Sequence, residues 1–188
     1  MSYLSSEELS KLPLSIGKNV KISHLAVFNN IHLDSYIADN VRIDDFVIMS
    51  GKLEIGKYVH LAPLALLDGG DKGIVVSDFS SISYKSSIIT RSDDFTGLAM
   101  SNPTVPAQFT MVKNAKVFLG RHVKIGMHSV ILPDSNLRDG SSLALQSVFQ
   151  GESEEFTLYR GNPARPICKI SKRVLKLEKE LRKSENLS

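Results

Sequence analysis

The sequence predicts a mainly β protein, a parallel β-helix with an extruded loop and a C-terminal α-helix. Two observations predict the helix of strands. An aliphatic residue or Met stands at every sixth position in Ile31, Ile37, Ile43, Met49, Ile55, Leu61 and Leu67, and again in Leu119, Ile125, Ile131, Leu137, Leu143 and Phe149. Shorter stretches (Ile16, Ile22, Phe28; Val76, Ile82, Ile88) extend both series. With 42% apolar residues, thirteen such matches would arise by chance about once in 10⁵, so the period is structural. The second observation is the company each anchor keeps. A small or polar residue often follows it (Gly17, Ala38, Gly56, Ala62, Gly120, Gly126, Ala144), and Val, Ala or Ser stands four places on. Neither a 3.6-residue helix nor a long alternating strand produces a period of six, whereas short strands joined by sharp corners do.

Each hexad then forms one side of a coil, and inward anchors stack on their equivalents in the next coil to make a continuous core. Residues 1–15 form a lead-in, where Ser5 and Glu8 have capping-box spacing ahead of Leu9 and Leu12, so a short helix covers the open coil end. The coils run from 16 to 166. Their phase slips between Phe28 and Ile31 and again through Asp68-Gly69-Gly70-Asp71-Lys72-Gly73. It is lost from about 92 to 115, a segment carrying Pro103 and Pro106. That excursion includes Phe95, Met100, Val105, Phe109 and Met111, too apolar for a solvated linker, and is expected to pack on a neighbouring subunit. Residues 167–188 are predicted as an amphipathic helix from the spacing of Ile170, Val174, Leu175, Leu177 and Leu181.

Composition narrows the function. The 188 residues suit one domain, and the net charge of +3 is concentrated in Lys169, Lys172, Arg173, Lys176, Lys179, Arg182 and Lys183. Glu178, Glu180 and Glu185 interleave with these cations, which predicts a solvated helix face and no nucleic-acid partner. Cys168 is the only cysteine, so no intramolecular disulfide can form and the cytoplasm is the simplest location. No apolar run approaches the roughly 20 residues of a membrane span, and the amino terminus lacks signal-peptide regions. No close His/Cys/Asp spacing suggests a metal site.

The segments VRIDDFVIMSGKLEIGKYVHLAP, RSDDFTGLAMSNPTVP, LGRHVKIGMHSVILP and LYRGNPARPICKI resemble galactoside and polysaccharide O-acetyltransferases of the hexapeptide-repeat acyltransferase superfamily. Hexads alone specify only a β-helix, which also serves other activities; the SDDFTG and GNPARP segments point to acetyl transfer. The resemblance implies left-handed coils, an exception to the right-handed crossover rule. It also implies a homotrimer with acetyl-CoA as co-substrate between subunits, and a saccharide or nucleotide-sugar acceptor. Direct transfer needs a general base, oxyanion donors and orientation of two substrates.

Histidine suits the base, and the chain offers His24, His32, His60, His122 and His128. His60 is preferred, beside the anchor Leu61 on the coil leading to the glycine-rich slip; His122 and His128 are expected on the surface. Galactoside acetyltransferases carry their catalytic histidine on the extruded loop, where this chain has Asp93 and Asp94. These two could orient His60, bind the acceptor or act as base, the first two roles being preferred, or serve ordinary turn chemistry. By resemblance Gly126, Met127, Ala144, Leu145 and Gln150 would face the pantetheine. Arg165, assisted by Lys169, would meet a CoA phosphate. Gly151 stands where many relatives place a lysine. The first reading is therefore O-acetyl transfer to a sugar; the alternatives are N-acetyl transfer to an amino-sugar nucleotide and a non-catalytic trimeric scaffold.

Overall fold

A computed structural model describes residues 2–185. Its anchors stack as the six-residue period requires. On the first face the parallel register runs Ile16, Ile37, Ile55, Val76, Leu119, Leu137. On the second it runs Ile22, Ile43, Leu61, Ile82, Ile125, Leu143, and on the third Phe28, Met49, Leu67, Ile88, Ile131, Phe149. All but Ile16 and Phe28, nearest the open end, are buried, each contributing about 2 kcal/mol of apolar burial. Six coils result, with strands of only two to five residues separated by corners. Buried serines four places after an anchor bond to the next coil. Ser80 Oγ donates to the Gly120 carbonyl at 2.8 Å and Ser86 Oγ to the Gly126 carbonyl at 2.9 Å, so the hydroxyls are satisfied without interrupting the stack.

The corner between the first and second faces repeats with its own rule. Asp39, Asp78 and Asp139 each turn Oδ1 onto a backbone N–H of the preceding coil, those of Lys18, Lys57 and Arg121, at 2.8–2.9 Å. The residue facing each of these carboxylates is Gly17, Gly56 or Gly120, where a Cβ would lie 2.5–2.6 Å from the oxygen. A residue later the backbone is left-handed at Asn19, Asn40, Tyr58, Phe79 and His122. Such residues cost about 1–2 kcal/mol each, and here their side chains pair along the column. Asn19 Nδ2 donates to Asn40 Oδ1 at 3.2 Å, while Tyr58, Phe79 and His122 stack at 4.9 and 5.1 Å between centroids.

The slip at 68–73 is a backbone-on-backbone contact. Lys52 N–H donates to the Gly70 carbonyl at 2.9 Å, Gly69 N–H to Ser50 at 2.8 Å and Ile74 N–H to Lys52 at 3.0 Å. A Cβ on Gly69 would come within 2.1 Å of the Lys52 oxygen. After Ser87–Ile89 the chain leaves the coils as an arm: Arg91–Asp93 pairs antiparallel with Val112–Asn114, and 94–111 form its irregular tip. Phe95 and Leu98 there are 91% and 82% exposed.

At the start, α1 (Ser6–Leu9) carries the capping box: Ser5 Oγ accepts from Glu8 N–H, and Glu8 Oε2 accepts from Ser5 N–H. At the other end the structure departs from the expected helix over 167–188. Ala164–Lys169 is a strand returning antiparallel on Thr157–Gly161, where Pro166 sits on a sheet edge that tolerates a missing donor. The helix α2 spans Arg173–Glu185; 186–188 and Met1 lie outside the described residues.

Two further expectations are corrected here. His122, expected on the surface, is 8% exposed, and Glu178, expected on a solvated helix face, is 7% exposed. The cause is the docking of α2 against the first corner. Glu178 accepts from His122 Nε2 at 2.7 Å, from Arg182 Nε at 2.8 Å and from Arg121. Arg182 also lies 5.5 Å over the Phe79 ring. Burial pushes the Glu178 carboxyl up, but bonds from Arg182 and His122 and the charges of Arg121 and Arg182 outweigh it, leaving it below its ordinary value. A carboxyl depressed by folding stabilises above its unfolded pKa, and that contribution is lost as pH falls through the folded value. Amide exchange of 173–185 should therefore stay protected from neutral pH into the ordinary carboxylate range and rise only below it. Glu178→Ala should remove that protection at pH 7 at a cost of about 2 kcal/mol, reduced from a fully buried pair because Arg121 and Arg182 are half exposed.

Candidate active site

The arm roofs a cavity of about 460 Å³ whose polar lining includes Asp68, Arg91, Ser92, Asp93 and Asn102. Arg91 Nη2 holds both oxygens of Asp68 at 2.9 and 3.1 Å, and Ser50 Oγ donates to Asp68 at 2.9 Å. Asp93, by contrast, accepts at its carboxylate, among the described residues, only a long 3.3 Å bond from Asn102 N–H. Its carboxylate is thus free to take a donor entering the cavity.

Asp94 does something different. It accepts from Thr96 Oγ1 at 2.7 Å and from the N–H groups of Thr96, Leu98 and Ala99 at 2.9, 2.9 and 3.2 Å. The Thr96 hydroxyl and N–H, followed by the other amides, hold its carboxyl below the usual range. Asp94 shapes the arm, and Asp93 faces the cavity.

His60 lies on the second face, in register between Arg42 and Ser81. Its Nε2 is 2.7 Å from Asp44 Oδ2, and its side chain is 42% exposed while that of Asp44 is 2% exposed. Arg42 donates to Asp44 from Nε at 2.6 Å and from Nη2 at 3.2 Å. Burial raises the Asp44 carboxyl, and the bonds from Arg42 and His60 more than offset it, so the net shift is downward. The sequence signal for this cluster was available: Asp44 occupies the hexad position where Ala62, Gly126 and Ala144 stand, and an aspartate at a small-residue position needs partners. The arm leaves from the third face, so within one chain the structure sets Asp93 and His60 on different sides of the coil.

Gly126, Met127, Ala144 and Leu145 do come together, on adjacent coils at the corner between the second and third faces. A Cβ on Gly126 would lie 2.5 Å from Leu145 N, and Met127 and Leu145 form an apolar ledge, 41% and 59% exposed. Gln150 is at the next corner, its Nε2 donating to the Pro133 carbonyl at 3.2 Å. Arg165 is exposed on the return strand opposite Arg160. Lys169 is committed to Glu154 at 2.5 Å and Thr157 at 2.9 Å. His32 bonds Asp34 on the surface. Among the described residues no group of three or more His, Cys, Asp or Glu could hold a metal ion, and no helix is long and apolar enough to cross a membrane.

No protein-family model matches the chain. Over 182 residues it is 40% identical to the dTDP-4-amino-4,6-dideoxy-D-glucose acyltransferase of Escherichia coli, spanning 95% of this chain and 94% of that one. The chain belongs to the hexapeptide-repeat acyltransferases. The crystal structure of AntD, an N-acyltransferase from Bacillus cereus in complex with dTDP and 3-hydroxybutyryl-CoA, superposes with a TM-score of 0.94 at 41% identity, covering 98% of both chains. WbbJ of Escherichia coli strain K12, named for O-acetyl transfer in lipopolysaccharide biosynthesis, is more distant, 24% identical over 135 residues. The coils of this acyltransferase are left-handed, as its family's are. AntD is an N-acyltransferase and the O-acetyl relative is remote, so the hydroxyl acceptor of the first sequence reading is the less supported of the two acceptor chemistries.

Proposed function

We propose that this acyltransferase moves an acyl group from a CoA thioester to the amino group of a dTDP-linked 4-amino-4,6-dideoxyhexose. The observation that carries this reading is the relationship to the Escherichia coli enzyme across essentially the full length of both chains. The arm cavity fits the chemistry. An amine arrives as an ammonium, loses one proton to solvent before attack and loses a second as the amide forms; a carboxylate with spare acceptor capacity attracts and orients it. Asp93 is that group, and a hydroxyl acceptor would gain less from it.

The amine nitrogen then attacks the thioester carbon, His60 takes the second proton, and the thiolate leaves and is protonated. The ledge of Met127 and Leu145 beside Gly126 and Ala144 is the proposed path of the pantetheine, with Gln150 at its far side and Arg165 and Lys169 toward the phosphates. Asp93 and His60 meet only if the arm of one copy closes over another, and the exposed Phe95 and Leu98 give that arm an apolar tip to bury. The assembly we propose for this is a homotrimer, each arm closing over a neighbouring copy. The scaffold alternative has little support beside relatives at 40% and 41% identity that are acyltransferases.

The test is an acceptor panel with acetyl-CoA and 3-hydroxybutyryl-CoA as donors. Turnover should be confined to the dTDP-4-amino sugar, with the 4-hydroxy counterpart at least about 10²-fold slower in kcat/KM, because the carboxylate then loses its charged partner. Equal or faster acylation of the hydroxyl sugar would overturn the reading.

A further inference from the structure

Asp44 is too buried to meet a substrate, yet it is the immediate partner of His60. We propose that Asp44 is a positioning residue that sets which nitrogen of His60 receives the acceptor proton, an inference that rests on His60 being the base. An ionised carboxylate only accepts hydrogen bonds, so the His60 Nε2 lying 2.7 Å from Asp44 Oδ2 carries the hydrogen and the lone pair is on Nδ1. Arg42 fixes the carboxylate from its other side, Nε to Oδ1 at 2.6 Å, so Asp44 holds one orientation and one charge. The ring is half exposed, and with Nε2 committed to Asp44 it is Nδ1 that is left to meet the acceptor. As the C–N bond forms and the C–S bond breaks, the amine N–H bond gives its proton to Nδ1. The imidazolium so formed lies against the Asp44 carboxylate, and the sulfur keeps the electron pair until the proton passes on to it.

Asp44→Asn tests this because the geometry dictates how the amide will sit. With its NH₂ at the Oδ1 position it would face Arg42 Nε at 2.6 Å; at the Oδ2 position it faces the longer 3.2 Å contact with Nη2 and can donate to His60 Nε2. The second orientation is favoured, and it moves the ring hydrogen to Nδ1, leaving no lone pair there. The expected result is a fall in kcat of about 10- to 10²-fold with KM for both substrates within about twofold. Nitrogen-15 spectra of neutral His60 should change from the Nε2–H to the Nδ1–H form. A purely structural role would lower thermal stability without that tautomer change.

His60→Ala is run alongside. If it retains turnover, the assignment of His60 as base falls, and Asp44 with it. If His60→Ala is inactive while Asp44→Asn keeps kcat within twofold, the base stands and the positioning role is overturned. The spectrum of the unmodified enzyme decides independently of how the variant folds: neutral His60 bearing its hydrogen on Nδ1 contradicts the proposal outright.

Discussion

Asp93→Asn should lower kcat for the amino-sugar acceptor by about 10²-fold and raise its KM, while leaving the KM for the CoA thioester unchanged. The substitution keeps volume and removes charge, so it isolates the attraction between carboxylate and ammonium and any help in proton transfer, which together are worth about that factor. Stability should hardly move, because among the described residues the Asp93 carboxylate takes only the 3.3 Å contact from Asn102 N–H, and the substitution leaves the backbone pairing of the arm as it is. The neighbouring Asp94→Asn should behave in the opposite way. That carboxylate caps the N–H groups of Thr96, Leu98 and Ala99, so its loss should loosen the arm and affect both substrates. Steady-state kinetics in both substrates plus thermal unfolding separate the two. Wild-type turnover in Asp93→Asn would remove this residue from the acceptor site.

Gly51→Ala carries the largest expected cost to the scaffold. Gly51 has φ +70, and a Cβ there would sit 2.3 Å from Gly70 N and 2.5 Å from Gly70 O. Both atoms are backbone of the 68–73 slip, and the Gly70 carbonyl accepts from Lys52 N–H at 2.9 Å, so neither can swing away as a flexible side chain could. The left-handed backbone alone costs about 1–2 kcal/mol, and overpacking adds about 1–3 kcal/mol more. A sum near 3 kcal/mol corresponds to a fall in Tm of about 10 °C for a chain of this length. Gly151→Ala is the control: its φ is +94 but no atom lies within 4 Å of the added methyl, so it should show the backbone part alone. Equal Tm values for the two variants would refute the close-contact account.

The coils were legible because an inward anchor every sixth residue, from Ile31 to Leu67 and from Leu119 to Phe149, leaves no other regular solution. Their handedness came from resemblance, since hexads stack equally well on paper in either hand. What escaped the sequence is everything that depends on which distant residue arrives at a corner. His122 reads as one more outward corner residue until α2 brings Glu178 over it. The helix boundary moved because Ile167 and Lys169 have the apolar–charged rhythm of a helix start yet lie beside an open strand edge at Thr157–Gly161. Asp93 and Asp94 are neighbours of identical chemistry; only the path of the arm decides which one caps local amides and which one is left facing the cavity. The partnership of His60 with Asp44 joins adjacent coils, sixteen residues apart in the chain, and single-hexad reading does not reach that far.

The corner where Asp39, Asp78 and Asp139 cap the amides of Lys18, Lys57 and Arg121 sets a unit of length. Glycine with a cation on one coil and aspartate on the next form a complementary couple, so the unit that can be copied or lost intact is two coils, not one. Deleting a single coil would set Gly17 against Gly56 and leave the Lys18 amide without its carboxylate, whereas removing a couple restores the match at once. Engineered versions of the scaffold should therefore be lengthened or shortened in steps of two turns.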